Sequence, residues 1–163
     1  GGRATGRGRQ VTTTGGHHGD VCAIDPAGQP FCDVFTVELK RGWNRATIQD
    51  LLDRPARAAR QIYEQWICQA LAAHEAAGSL SWLLVVRRDK RDALVLMPTW
   101  KVDLHWDDVR NAFYLYFEDR GGELMEVTCV RLDDFFKHVT PDRVRELAKE
   151  KPDRSDDSAN DAS

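Results

Sequence analysis

The 163-residue chain has no apolar run long enough to cross a bilayer. Stretches such as Leu80 to Val86 fall far short of the roughly 18 to 20 residues that a spanning helix needs, so the sequence predicts no membrane partner. It has no close-set CxxC pair either. Its four cysteines stand at 22, 32, 68 and 129, and a chain of this length can bury a core without disulfide staples, which predicts a reducing, cytoplasmic setting. The chain opens on Gly1-Gly2-Arg3 with neither an initiator Met nor a basic-then-apolar leader, and so reads as a trimmed fragment rather than a secretory precursor. There is no internal repeat. With 42% hydrophobic and 30% charged residues, what remains is the make-up of one domain with its own core.

The formal charge of −3 argues against a nucleic-acid partner until it is partitioned along the chain. Pro152 to Ser163 holds four aspartates and one arginine, so this tail alone supplies the −3 and the rest balances to zero. Within that neutral body, Lys40 to Arg60 carries six basic residues against two acidic ones. A locally basic surface is expected there. Residues 1 to 8, rich in Gly and Arg, read as a flexible basic arm, and residues 152 to 163 as a disordered acidic tail.

Between these ends the pattern starts with short β-type runs separated by turn residues: Arg9 to Thr14, then Asp20 to Asp25, then Phe31 to Lys40. This predicts a three-strand meander. On the third run Asp33, Phe35, Val37 and Leu39 fall on one face and Val34, Thr36, Glu38 and Lys40 on the other, because side chains alternate along a strand. Glu38 and Lys40 then project side by side. Thr47 with Asp50 resembles a capping box, and Pro55 separates a short helix from a long one that starts there. Ala59, Ile62, Trp66, Ala70 and Ala73 recur at three- and four-residue steps, the stripe of one buried helix face, and Gly78 suits its stop. Ser81 to Arg87, apolar throughout its middle, predicts a central strand covered on both faces. Ala93 to Met97 follows, then a hairpin of Ala112 to Phe117 and Leu124 to Arg131 around Gly121-Gly122, then helices from Asp133 and from Pro141. The fold class is α/β: a mixed sheet (three-strand meander, long helix, further strands) flanked by helices.

Asp20 opens the second run and Glu38-Leu39-Lys40 ends the third. If the two runs pair, three charges converge at one end of the sheet. Hydrolysing a phosphodiester requires neutralising a doubly charged transition state and generating hydroxide at neutral pH. Two carboxylates can hold a Mg²⁺ or Mn²⁺ ion that does both, while a neighbouring lysine orients the water and offsets charge on the phosphate.

On these residues the chain resembles the PD-(D/E)XK nuclease superfamily, the restriction endonuclease-like and Holliday junction resolvase-like enzymes. Gly19-Asp20 stands where that motif has Pro-Asp, and Glu38-Leu39-Lys40 stands as (D/E)-x-K. The likeness covers about residues 9 to 98, a nuclease core, and leaves 99 to 151 as a C-terminal extension packed on the same domain. The resemblance implies a Mg²⁺-dependent deoxyribonuclease, an endonuclease, with a restriction endonuclease-like sheet. Asp20 and Glu38 would bind the metal, with the Leu39 carbonyl as a further ligand, and Lys40 would assist the attacking water. Gln61-Ile62-Tyr63 looks like the Gln-x-x-Tyr element of some members, one residue short. The family's first helix has no counterpart.

Arg41, Trp43, Arg45 and Arg57 follow the motif and could grip a DNA backbone or, for Trp43, stack on a base; solvated helix arginines are the plainer reading of the same residues. Trp66 and Trp82 sit in apolar stripes and belong to the core. His17 and His18 could touch a phosphate or tune the metal site, though a polar turn also explains them. With Cys22 and Cys32 they match no standard zinc spacing. A homodimer would suit paired cuts in a duplex. Two other functions use the same residues: a non-catalytic DNA-binding or scaffolding module whose carboxylates are structural, and a protein-interaction domain working through its acidic tail.

Overall fold

Ser81 to Arg87 is apolar at every position between its ends, so as a strand it must be covered on both faces, and it is: Trp82, Leu83, Leu84 and Val86 are all buried. The computed structural model describes residues 18–42, 47–51, 61–99, 109, 112–118 and 122–150. Among them the strands are β1 (Phe35–Arg41), β2 (Ser81–Arg87), β3 (Leu94–Pro98), β4 (Phe113–Glu118) and β5 (Leu124–Arg131). The helices are α1 (Gln29–Val34), α2 (Ile62–Ala77), α3 (Leu132–His138) and α4 (Pro141–Lys149). The five strands form one mixed sheet in the order β1-β2-β3-β5-β4, flanked by helices on both faces. β1 and β2 run parallel with α2 in the crossover between them; every other pair is antiparallel. Among the described residues no helix is long and apolar enough to cross a membrane.

The two faces bury separate cores. Phe35, Val37, Leu83, Val95, Met97 and Val130 face α1, α3 and α4, meeting Val34, Phe135, Val144 and Leu147. On the other face Trp82, Leu84, Val86, Leu96 and Cys129 meet Tyr63, Trp66, Ile67 and Ala70 of α2. The stripe read from the sequence is this contact, with Trp66 and Ala70 buried at its centre. α2 stops where Gly78 turns left-handed at φ 61° and its N–H caps the His74 carbonyl. At the other end of the chain, Thr140 Oγ1 accepts from Arg143 N–H at 3.3 Å and Pro141 takes the first turn of α4, as their order predicts. Asp50 accepts from both the N–H and the hydroxyl of Thr47 around a short 3₁₀ turn, Ile48–Leu51.

The three-strand meander is not what forms. Residues 31–34, expected to begin a strand, belong to helix α1. Phe31 and Phe35 alternate as on a strand, but they also stand four apart on a helix, where their rings meet at 5.2 Å. Gln29 donates to Asp33 along the same turn at 2.9 Å, and Pro30 occupies the first turn, where its missing N–H costs nothing. Residues 20–25 are not a strand either. Their path ends on Asp25, whose carboxylate accepts from Ala27 N–H and starts the 3₁₀ turn Pro26–Gly28 that leads into α1. The 1–8 arm, the expected strand over 9–14, the helix start at Pro55 and the 152–163 tail lie outside the described residues.

Candidate active site

β1 is an edge strand with β2 on one side only. Gly42 donates to the Arg87 carbonyl of β2, which fixes the even-numbered residues of β1 as those whose backbone groups face β2. The odd-numbered N–H and C=O groups therefore point at the open edge. Two of them are taken by one residue. Asp20 donates its N–H to the Val37 carbonyl at 2.7 Å, and its Oδ2 accepts from the Leu39 N–H at 2.8 Å. These two bonds flank Glu38 and place the Asp20 carboxylate beside it.

The approach is possible because residue 19 is glycine. Gly19 has φ +101°, and a Cβ there would lie 2.9 Å from the Val37 oxygen and 3.0 Å from Thr36 Cγ2.

Side-chain alternation puts Thr36, Glu38 and Lys40 on the α2 face of the sheet, and the last two touch: Lys40 Nζ donates to Glu38 Oε2 at 2.8 Å. Their side chains keep only 19% and 15% of their exposure, so this pair is shielded far more than a surface ion pair. Asp20 is exposed at the rim. Among the described residues nothing bonds to Asp20 Oδ1 or to Glu38 Oε1, so each carboxylate keeps one oxygen uncommitted. The Leu39 carbonyl faces the same edge as Asp20. The set consists of hard oxygen donors, the type taken by a Mg²⁺-type cation that retains several waters. It does not fit a cage made wholly of side chains, since no group of three or more His, Cys, Asp or Glu able to hold a metal occurs among the described residues.

Two residues before Glu38 on the same face, Thr36 enters a buried polar junction that sequence reading missed. Ser79 Oγ donates to the Ser81 carbonyl at 3.0 Å and meets Thr36 Oγ1 at 2.7 Å and His74 Nδ1 at 2.9 Å. It ties the end of α2 to the starts of β1 and β2. Only the placing of Thr36 on the Glu38 face was legible beforehand.

The other expected residues divide. Arg41 is exposed at the end of β1, its Cα paired with that of Arg87. His18 is exposed and makes no hydrogen bond or ion pair among the described residues. Gln61 is the N-cap of α2, its side chain accepting from the Glu64 N–H while Glu64 Oε2 accepts from the Gln61 N–H at 2.6 Å. Tyr63 packs in the core against Trp66, rings 5.0 Å apart. Burial pushes its hydroxyl pKa up, with the charge of Arg88 pulling the other way. His17, Trp43, Arg45 and Arg57 lie outside the described residues.

No known family, curated protein or solved structure matches the chain.

Proposed function

We propose that the protein is a metal-dependent endonuclease that hydrolyses DNA phosphodiester bonds, on a restriction endonuclease-like variant of the α/β fold. The observation that carries this is the position of Asp20, hydrogen-bonded to the residues on either side of Glu38, which is itself paired with Lys40. Asp20 and Glu38 would hold a Mg²⁺ or Mn²⁺ ion through their uncommitted oxygens, with the Leu39 carbonyl on the same edge. When bound, that ion would polarise the scissile phosphate and acidify a water. Lys40 has three N–H donors and gives one to Glu38, which leaves two to orient a water and to offset charge on a phosphate oxygen. Glu38 in turn fixes where the ammonium sits. A homodimer would present two such centres to the two strands of a duplex, and a reducing cytoplasmic setting suits the four free thiols.

Purified protein with Mg²⁺ or Mn²⁺ is expected to cut plasmid or branched DNA. Glu38→Gln keeps the side-chain shape and can still accept from Lys40, and Lys40→Gln keeps a donor. Each is expected to lose about 10²-fold or more of the cutting rate while remaining folded by circular dichroism. Wild-type rates in both variants would refute the assignment. One observation favours the non-catalytic reading on the same fold: each carboxylate already has a structural bond, to Leu39 N–H and to Lys40. A melting temperature that ignores millimolar Mn²⁺, together with DNA binding but no cutting, would decide for that module.

A further inference from the structure

β1 and β2 are parallel and in register, Lys40 opposite Val86 and Arg41 opposite Arg87, so both strands exit at the end of the sheet that carries Glu38 and Lys40. The Gly42 N–H to Arg87 carbonyl bond holds the two exits together. β2 then runs into a tight turn, closed by Arg91 N–H on the Arg88 carbonyl at 3.2 Å, with Lys90 left-handed at φ 58°. Strand exit and turn bring Arg41, Arg87, Arg88, Lys90 and Arg91 to one end of the sheet, and the turn's own acidic residues are Asp89 and Asp92. Asp92 is engaged by Arg131 at 3.1 Å.

Arg41, Arg87, Lys90 and Arg91 are exposed, and among the described residues none of them has a carboxylate partner. Three cations on the helices are paired instead. Lys137 pairs with Asp134, Arg143 with Glu146 and Arg145 with Asp142, each three residues apart on α3 or α4. Cations carried side by side on neighbouring strands repel one another, and an external anion relieves that repulsion. Arg41 and Arg87 lie on the sheet face opposite Glu38 and Lys40, whereas Arg88 sits near Tyr63 on the α2 side, so the positive charge rims the sheet end from both faces.

We infer that Arg87, Lys90 and Arg91, in the turn after β2, form a DNA-backbone grip that continues from Arg41 and leads phosphates to the Glu38–Lys40 centre. Its direction rests on the nuclease reading; its charge does not. None of the three touches the reacting atoms, so they set affinity rather than the chemical step.

The test measures binding of a duplex by the full chain across a salt series, without divalent metal, and cleavage with Mg²⁺. Each phosphate contact contributes about −0.9 to the slope of log K against log salt. The variant Arg87→Gln/Lys90→Asn/Arg91→Gln is expected to make that slope shallower by about 2 to 3 and to weaken binding on the order of 10²-fold at 0.1 M salt. Asn suits the left-handed position of Lys90. Arg87→Lys/Arg91→Lys is expected to keep the slope. In cleavage the triple variant is expected to raise KM and leave kcat within about twofold. An unchanged slope in the triple variant, no DNA binding by wild type, or equally tight binding of polyglutamate would overturn the inference. If wild type binds DNA through the turn but never cuts it, the grip stands and the nuclease reading falls. If the triple variant binds and cuts like wild type, the nuclease reading stands and the grip falls.

Discussion

Substituting Gly19 by alanine separates the site from the fold. The new methyl would stand 2.9 Å from the Val37 oxygen, the same atom that accepts the Asp20 N–H, and β1 cannot retreat because its other edge is paired with β2. Staying in place costs the left-handed backbone strain of about 1–2 kcal/mol, with the steric overlap added. Moving out forfeits two exposed hydrogen bonds, together about 2–3 kcal/mol at the modest end of their range. Because a Cβ at 2.9 Å from a backbone oxygen forces something to shift and β1 is held by β2, the expected result is an Asp20 segment lifted off an otherwise intact sheet. Gly42→Ala is the matched control, since Gly42 also has a positive φ, +86°, but a Cβ there meets nothing within 4 Å. That control should lose only the strain, roughly 2–8 °C of Tm for a chain of this size, against roughly 4–12 °C for Gly19→Ala. Amide hydrogen exchange gives the residue-level readout. Leu39 N–H, held by the Asp20 carboxylate, should lose protection in Gly19→Ala, while Glu38 and Lys40, whose N–H groups face β2, should keep theirs. Native protection at Leu39 together with a Tm equal to that of Gly42→Ala would refute the reasoning.

Two further predictions concern the core. Ser79→Ala removes the hydroxyl shared by Thr36, His74 and the Ser81 carbonyl, all buried, and should cost about 2 kcal/mol in urea unfolding at unchanged m; a loss under 0.5 kcal/mol would show that the junction is not a real one. Burial pushes the Cys129 thiol from 9.0 up to about 12. The raised value means that its neutral form stabilises the fold fully below pH 9, and that this contribution is lost between pH 9 and 12 at about 1.4 kcal/mol per pH unit. Cys129→Ala should flatten that part of the stability profile between pH 9 and 10.5, and parallel profiles for the two proteins would count against it.

Local punctuation explains what the sequence disclosed. β2 lies between the Gly78 stop and a charged turn, and β4 and β5 lie on either side of Gly121-Gly122 in the sequence, so all three strands were legible to within a residue. α1 was not, because Phe31 and Phe35 satisfy period two and an i,i+4 pair equally, and only the second packs Val34 beneath the sheet. The meander failed for another reason. Pairing was assigned between chain neighbours, whereas the ladder partner of Phe35 is Ser81, a parallel pairing that no local pattern announces. The Thr36–Ser79 bond, between residues 43 apart, exists only once that register is formed. Glu38 and Lys40 were legible as a pair because two residues on one strand share a face whatever the strand's partners are.

The place where the strand expectation failed is also where the candidate site is made. Had residues 20–25 run on as a strand, the Leu39 N–H would have bonded to a backbone carbonyl, and the Asp20 side chain would have stood perpendicular to the sheet. Instead the glycine turn brings in one residue, and its carboxylate takes the carbonyl's part in the ladder. An open edge needs its N–H groups covered in any case. Covering one with an ionised side chain satisfies the donor through Oδ2 and holds Oδ1, a charged acceptor, at the rim beside Glu38. A carbonyl in that position would have closed the edge equally well without adding a carboxylate oxygen to the rim.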